Sequence, residues 1–102
     1  MNTAKIKSVD ALEPKYDRAK SFYNRAYVIT LTNGARLLKS YDTIVCGVNT
    51  RGRFFRLWDG WSATTGRHVH DFRIQYGGGR GIGKREWLAL PIDPRNVARY
   101  RL

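Results

Sequence analysis

Two histidines, two adjacent threonines and a glycine-rich run carrying a lysine are the residues whose types and spacing could do chemistry. Gly78, Gly83 and Lys84 fit the opening of a phosphate-binding loop, G-x-x-x-x-G-K, in which backbone N–H groups cradle phosphate and the lysine reaches its outer oxygens. The hydroxyl that should follow to hold magnesium is replaced by Arg85, and the run follows a helical pattern instead of a strand. Nucleotide hydrolysis is therefore not expected. What is left is either a plain flexible connection or a loop whose glycines allow close approach to a phosphate backbone, with Arg80, Lys84 and Arg85 supplying charge.

His68 and His70 are the only histidines, and two positions apart on a helix they point about 200° from each other. One metal cannot take both, and no cysteine or glutamate pair completes a site. As a general base, His68 would act on Thr64 or Thr65 one turn back; a structural histidine near a helix N-terminus is the simpler reading. Asp42, Asp59, Asp71, Glu86 and Asp93 are scattered and form no acid–base pair. A non-enzymatic protein without metal or cofactor is expected. Cys46 is alone, which excludes an intramolecular disulfide and fits a reducing compartment.

Charge points to the partner. Nineteen Lys and Arg against eight Asp and Glu leave a formal +11, a field that attracts polyanions. Residues 51–102 hold eleven of the cations, all arginine except Lys84. Arginine grips phosphate bidentately and stacks on bases, so this half is the better binding candidate. Within it, residues 51–58 (RGRFFRLW) interleave basic and aromatic side chains, as single-strand binders do. Arg51, Arg53, Arg56, Arg67, Arg73, Arg80, Lys84, Arg85, Arg99 and Arg101 are the expected partner-binding set.

The elements that must position these residues read as α+β. Period-two alternation over residues 26–41, broken by Asn33-Gly34, predicts a hairpin with a type I′ turn. Residues 43–48 and 53–58 predict a second hairpin around residues 49–52, giving a four-stranded antiparallel meander. Ser62 stands as the N-cap of an amphipathic helix reaching Tyr76, with Thr65, Val69, Phe72 and Tyr76 inward and Arg67, His70 and Asp71 outward. Pro14 is expected to open a short helix over residues 14–24, and residues 1–13 to form an arm or cap. Beyond a basic loop at 77–85, residues 86–90 suggest a short strand and residues 95–102 a basic arm.

A chain of 102 residues fits one domain of roughly 100 to 150 residues, here a core at 14–76 with a basic loop and tail at 77–102. No run approaches the roughly 18 apolar residues of a membrane span, and the N-terminal stretch lacks the apolar centre of a signal peptide. A cytoplasmic location without membrane contact is expected.

Three stretches carry a family resemblance: Lys20-Ser21-Phe22-Tyr23 with Ala26; Ser40-Tyr41-x-Thr43-x-Val45; and Trp58-x-x-Trp61-Ser62-Ala63-Thr64-Thr65-x-Arg67-His68-Val69-x-x-Phe72. Together they resemble a small domain of unknown function found on phages and plasmids of Gram-positive bacteria, over about residues 20–75. The resemblance brings no activity. It implies a mobile-element setting, in which a compact basic protein would bind DNA, RNA or a nucleoprotein, inhibit a host CRISPR effector as an anti-CRISPR protein, or serve as a structural or assembly protein.

Overall fold

The computed structural model describes residues 4–101, in which an antiparallel five-stranded sheet carries three helices. Asn33 and Gly34 turn the chain between β2 (Ala26–Leu31) and β3 (Arg36–Ser40), with Val28 opposite Leu38. The turn is not the expected type I′ form, since of the two only Gly34 takes a positive φ, 95°. Its N–H donates to the Leu31 carbonyl at 2.9 Å, while the Asn33 side chain accepts from the Ala35 N–H. The result is a three-residue loop closed by a left-handed glycine.

The second hairpin repeats the device. Gly52 (φ 80°) closes the link between β4 (Thr43–Val48) and β5 (Phe54–Arg56), and Asn49 Oδ1 accepts from the Arg51 and Arg53 N–H groups. β5 is shorter than the expected arm at 53–58, because the Leu57 and Trp58 N–H groups both turn to the Val45 carbonyl. Residues 6–11, expected as part of an arm or cap, instead form β1 (Ile6–Ala11) on the sheet edge against β2. Residues 1–3 of that arm lie outside the described residues, as does Leu102 of the tail.

Ser62 caps α1 (Ala63–Tyr76) as its sequence position predicts, its Oγ accepting the Thr65 N–H at 3.0 Å. Val69 and Phe72 are fully buried against one sheet face, in a core with Val28, Leu38, Cys46 and Trp87. The opposite face buries Ile29, Leu31 and Leu37 under Tyr100. Alternation in β2 and β3 therefore separates two cores and not a core from solvent.

Two terminal expectations are overturned. Residues 84–89 form α2 (Lys84–Ala89) where a strand over 86–90 is suggested: one residue, Trp87, faces inward, as one residue per turn does on a short helix. The expected basic arm folds as α3 (Pro94–Arg99), with Pro94 at its first position and the Asp93 side chain capping the Arg95 N–H. Tyr100 then stacks on Phe55 with ring centroids 4.9 Å apart.

No helix forms over residues 14–24; residues 12–25 make an irregular strap laid along α1. Local side-chain bonds outcompete the helix, Asp17 Oδ1 accepting the Ala19 N–H and Ser21 Oγ the Tyr23 N–H, each at 2.9 Å. The Lys15 and Tyr16 N–H groups donate across to the Asp71 carboxylate. Asp71, expected on the outer helix face, is fully buried beneath this strap. Among the described residues no helix is long and apolar enough to cross a membrane.

Candidate nucleic-acid interface

The strap is tied to α1 through two carboxylates, Asp71 of the helix and Asp17 of the strap itself. Asp71 takes the two strap N–H groups and the Gln75 amide (2.6 Å), and Gln75 also donates to the Glu13 carbonyl. Further along, Asp17 receives Arg67 through Nε at 2.9 Å and through Nη2. This bidentate pair, with the Ala19 N–H behind it, holds the Asp17 carboxyl well below the usual carboxylate range. With Asp71 and Asp17 both engaged, residues 15–25 of the strap present a basic and aromatic outward side. Lys15, Tyr16, Arg18, Lys20, Tyr23 and Arg25 are all exposed.

Beside this face sits His68, 2% exposed, and the three stretches that carried the resemblance meet around it. Phe22 of the strap meets its ring edge-on at 4.6 Å, and Tyr41 lies 6.0 Å away. Ser40 Oγ is 2.9 Å from both His68 Nδ1 and Thr65 Oγ1. Burial, and then the nearby Arg67 charge, push the His68 pKa down, so the ring is neutral at neutral pH. The Ser40 hydroxyl touching this base is itself 2% exposed, and no carboxylate bonds the imidazole. Thr64, by contrast, is exposed and lines a cavity of about 210 Å3 with Ser21, Phe22, Arg25, Arg67 and His68.

Where the ten expected basic residues lie is uneven. Arg56 is buried and its donors are taken up inside the fold: its guanidinium donates to the carbonyls of Trp58 (2.8 Å), Asp59 (2.8 Å) and Leu90 (3.0 Å), and lies 5.1 Å from the Trp87 ring centre. Arg73 is half-buried over the Phe54 ring and, with Arg80, occupies Glu86, whose carboxyl is held below its ordinary range first by Arg73. Lys84 and Arg85 are exposed on α2. Arg51 and Arg99 line a polar notch of about 330 Å3 with Asn33, Asn49 and Thr50 at the hairpin tips. Arg53 is exposed on the same tip, while Arg101 lines an apolar groove under the sheet. Only Arg67 touches the strap.

The glycine run is less free than its composition suggests. The Ile82 N–H reaches His70 Nδ1 at 3.1 Å, Ile82 is buried, and a side chain on Gly81 would collide with the His70 ring. No group of three or more His, Cys, Asp or Glu able to hold a metal occurs among the described residues, and Cys46 is buried, its thiol pushed up by that burial.

Residues 11–89 match a protein family described as a family of unknown function, DUF8033. The chain belongs to that family. The DUF8033 match takes in the strap, the His68 cluster, the glycine run and α2, further than the 20–75 stretch read from the sequence. It leaves out α3 and with it Arg99 and Arg101. Comparison with curated proteins and with solved structures finds no match. Sequence reasoning missed the strap because its basic–aromatic alternation, Lys15-Tyr16-x-Arg18-x-Lys20 to Tyr23-x-Arg25, was taken up by a helix that does not form. The same signal that singled out residues 51–58 was present there.

Proposed function

We propose that the protein acts without catalysis by binding nucleic acid, as a free strand or within a nucleoprotein, on the outward side of the strap. One observation carries this reading: over residues 15–25 of the strap four cations (Lys15, Arg18, Lys20, Arg25) and two tyrosines (Tyr16, 57% exposed, and Tyr23, 71%) stand exposed, and the one acid within that stretch, Asp17, is paired with Arg67, which leaves Glu13 as the exposed acid at the strap's start. Cations that follow phosphates beside aromatics that stack on bases are the working parts of single-strand binders. Arg51 and Arg99, which line the notch at the hairpin tips with Tyr100, form a separate basic patch that suits backbone contact.

The test is the affinity for a labelled single-stranded oligonucleotide as salt is raised. Log affinity should fall linearly with log salt, by roughly 0.7 per phosphate contacted. Replacing Lys15, Arg18 and Lys20 together by alanine should flatten the slope by about 2. A slope near zero in the unaltered protein would sink the reading. Recovery from host cells of a protein that stays attached after nuclease treatment would replace it with inhibition of a host effector by protein contact.

A further inference from the structure

Resting on that reading, we infer that the cavity between the strap and the first turn of α1 is a subsite for one unstacked base of a single strand, with Arg25 at its mouth receiving the adjoining phosphate. The cavity's volume, about 210 Å3, falls below the roughly 300–1,000 Å3 of sites for larger ligands, and suits one planar group.

Its walls match a base better than a phosphate. His68 commits Nδ1 to Ser40, and Nε2 has no protein partner among the described residues. The His68 ring is one of the cavity's walls. The Thr64 hydroxyl provides a hydrogen bond without charge, and the neutral imidazole beside it adds no charge to the wall. Phe22 supplies an apolar wall, and the cation in that wall, Arg67, is already matched by Asp17. The unmatched cation is Arg25, exposed, with its guanidinium 6.0 Å from the Tyr41 ring centre.

Backbone strain is concentrated at the same place. Tyr23 (φ 53°), Asn24 (60°) and Tyr41 (55°) are the non-glycine residues with positive φ among those described. A tyrosine in the left-handed region costs about 1–2 kcal/mol, and such strain persists where the surroundings enforce it. Here the Arg25 N–H closes the turn onto the Phe22 carbonyl at 3.1 Å, and the Tyr41 N–H donates to the Arg25 carbonyl at 2.7 Å. Tyr23, which lines the cavity, and Tyr41, beside Arg25, are thereby both held exposed, where bases flanking an inserted one would stack.

The experiment compares a single-stranded oligonucleotide with the same strand made abasic throughout, and follows the His68 ring by NMR during each titration. The intact strand should bind about tenfold more tightly and shift the His68 ring signals; the abasic strand should bind through charge alone and leave them still. Thr64→Val, at an exposed position, should weaken the intact strand and leave the abasic one unaffected, and Ala19→Leu, which fills the cavity, should abolish the ring shift. Equal affinity for both strands with unmoved His68 signals overturns the base subsite while leaving charge-driven binding standing. Failure of both strands to bind overturns both readings.

Discussion

Residues 15–25 and residues 51–58 have nearly the same vocabulary, basic side chains alternating with aromatic ones, and opposite fates. In the second stretch Arg56 is buried, Phe55 stacks under Tyr100, and Phe54 and Trp58 pack against the main core. In the first, Phe22 alone among the aromatics goes inward, and four cations and two tyrosines stay in solvent. The difference is one of layers. β5 has packed elements on both faces, α2 with Trp87 on one side and Tyr100 on the other, whereas the strap is itself the outermost layer over α1. Composition says that a segment can bind; the number of layers around it says whether it is free to.

The largest effect should follow from breaking the buried arginine. Arg56→Ala removes the donor to the Trp58, Asp59 and Leu90 carbonyls, and to that of Leu88 at 3.4 Å, and should cost at least about 3 kcal/mol at roughly 1–3 kcal/mol per group left unpaired, while Arg18→Ala on the strap should stay within about 0.5 kcal/mol. Urea unfolding of the two variants decides it, and equal midpoints would contradict the contrast. Next comes Asp71→Ala, which releases the Lys15 and Tyr16 N–H groups and should cost about 2 kcal/mol, since hydrogen bonds to a charged group contribute roughly 1.5–3 kcal/mol. Hydrogen exchange at those two amides should accelerate while exchange within β3 holds; unchanged protection at Lys15 and Tyr16 would show that something else ties the strap down.

Acid should undo the same region in two stages. The folded His68 pKa lies below its ordinary 6.5, so the unfolded chain binds a proton that the fold resists; the stability this contributes is full above pH 6.5 and is lost as pH falls below it. Asp17, held below its ordinary 3.8, contributes stability that is full above that value and drains away as pH falls further. A thermal midpoint that declines first below pH 6.5 is expected, with the first decline absent in His68→Gln. A midpoint flat from pH 7 to pH 5 would contradict the burial of a neutral imidazole. The smallest effect is a gain: Tyr23→Gly relieves a left-handed tyrosine that buries little, and should leave the protein more stable by about 0.5 kcal/mol while weakening strand binding. A loss of stability would place Tyr23 in the core's service instead of the rim's.

Much of this architecture could be read before any coordinates. Both hairpins, the Ser62 cap and the extent of α1 follow from alternation, turn residues and a hydroxyl at the right place, because these are short-range preferences that the final fold does not oppose. The errors share one cause. Residues 14–24 have helix formers after a proline, yet bonds to Asp71, some 55 positions away in the chain, decide their backbone. Residues 95–102 read as a basic arm in isolation, and become part of a helix opened by Pro94 once Asp93 caps it and Tyr100 finds Phe55.

The sequence by itself determined that this chain folds as α+β and that it is strongly basic. Tertiary structure alone decided which cations remain available, since burial of Arg56 and the pairing of Arg67, Arg73 and Arg80 depend on carbonyls and carboxylates brought up from elsewhere in the chain. Charge is a property of the residue. Its availability depends on what the fold places beside it, and that moved the candidate interface from the fourth predicted strand to the strap.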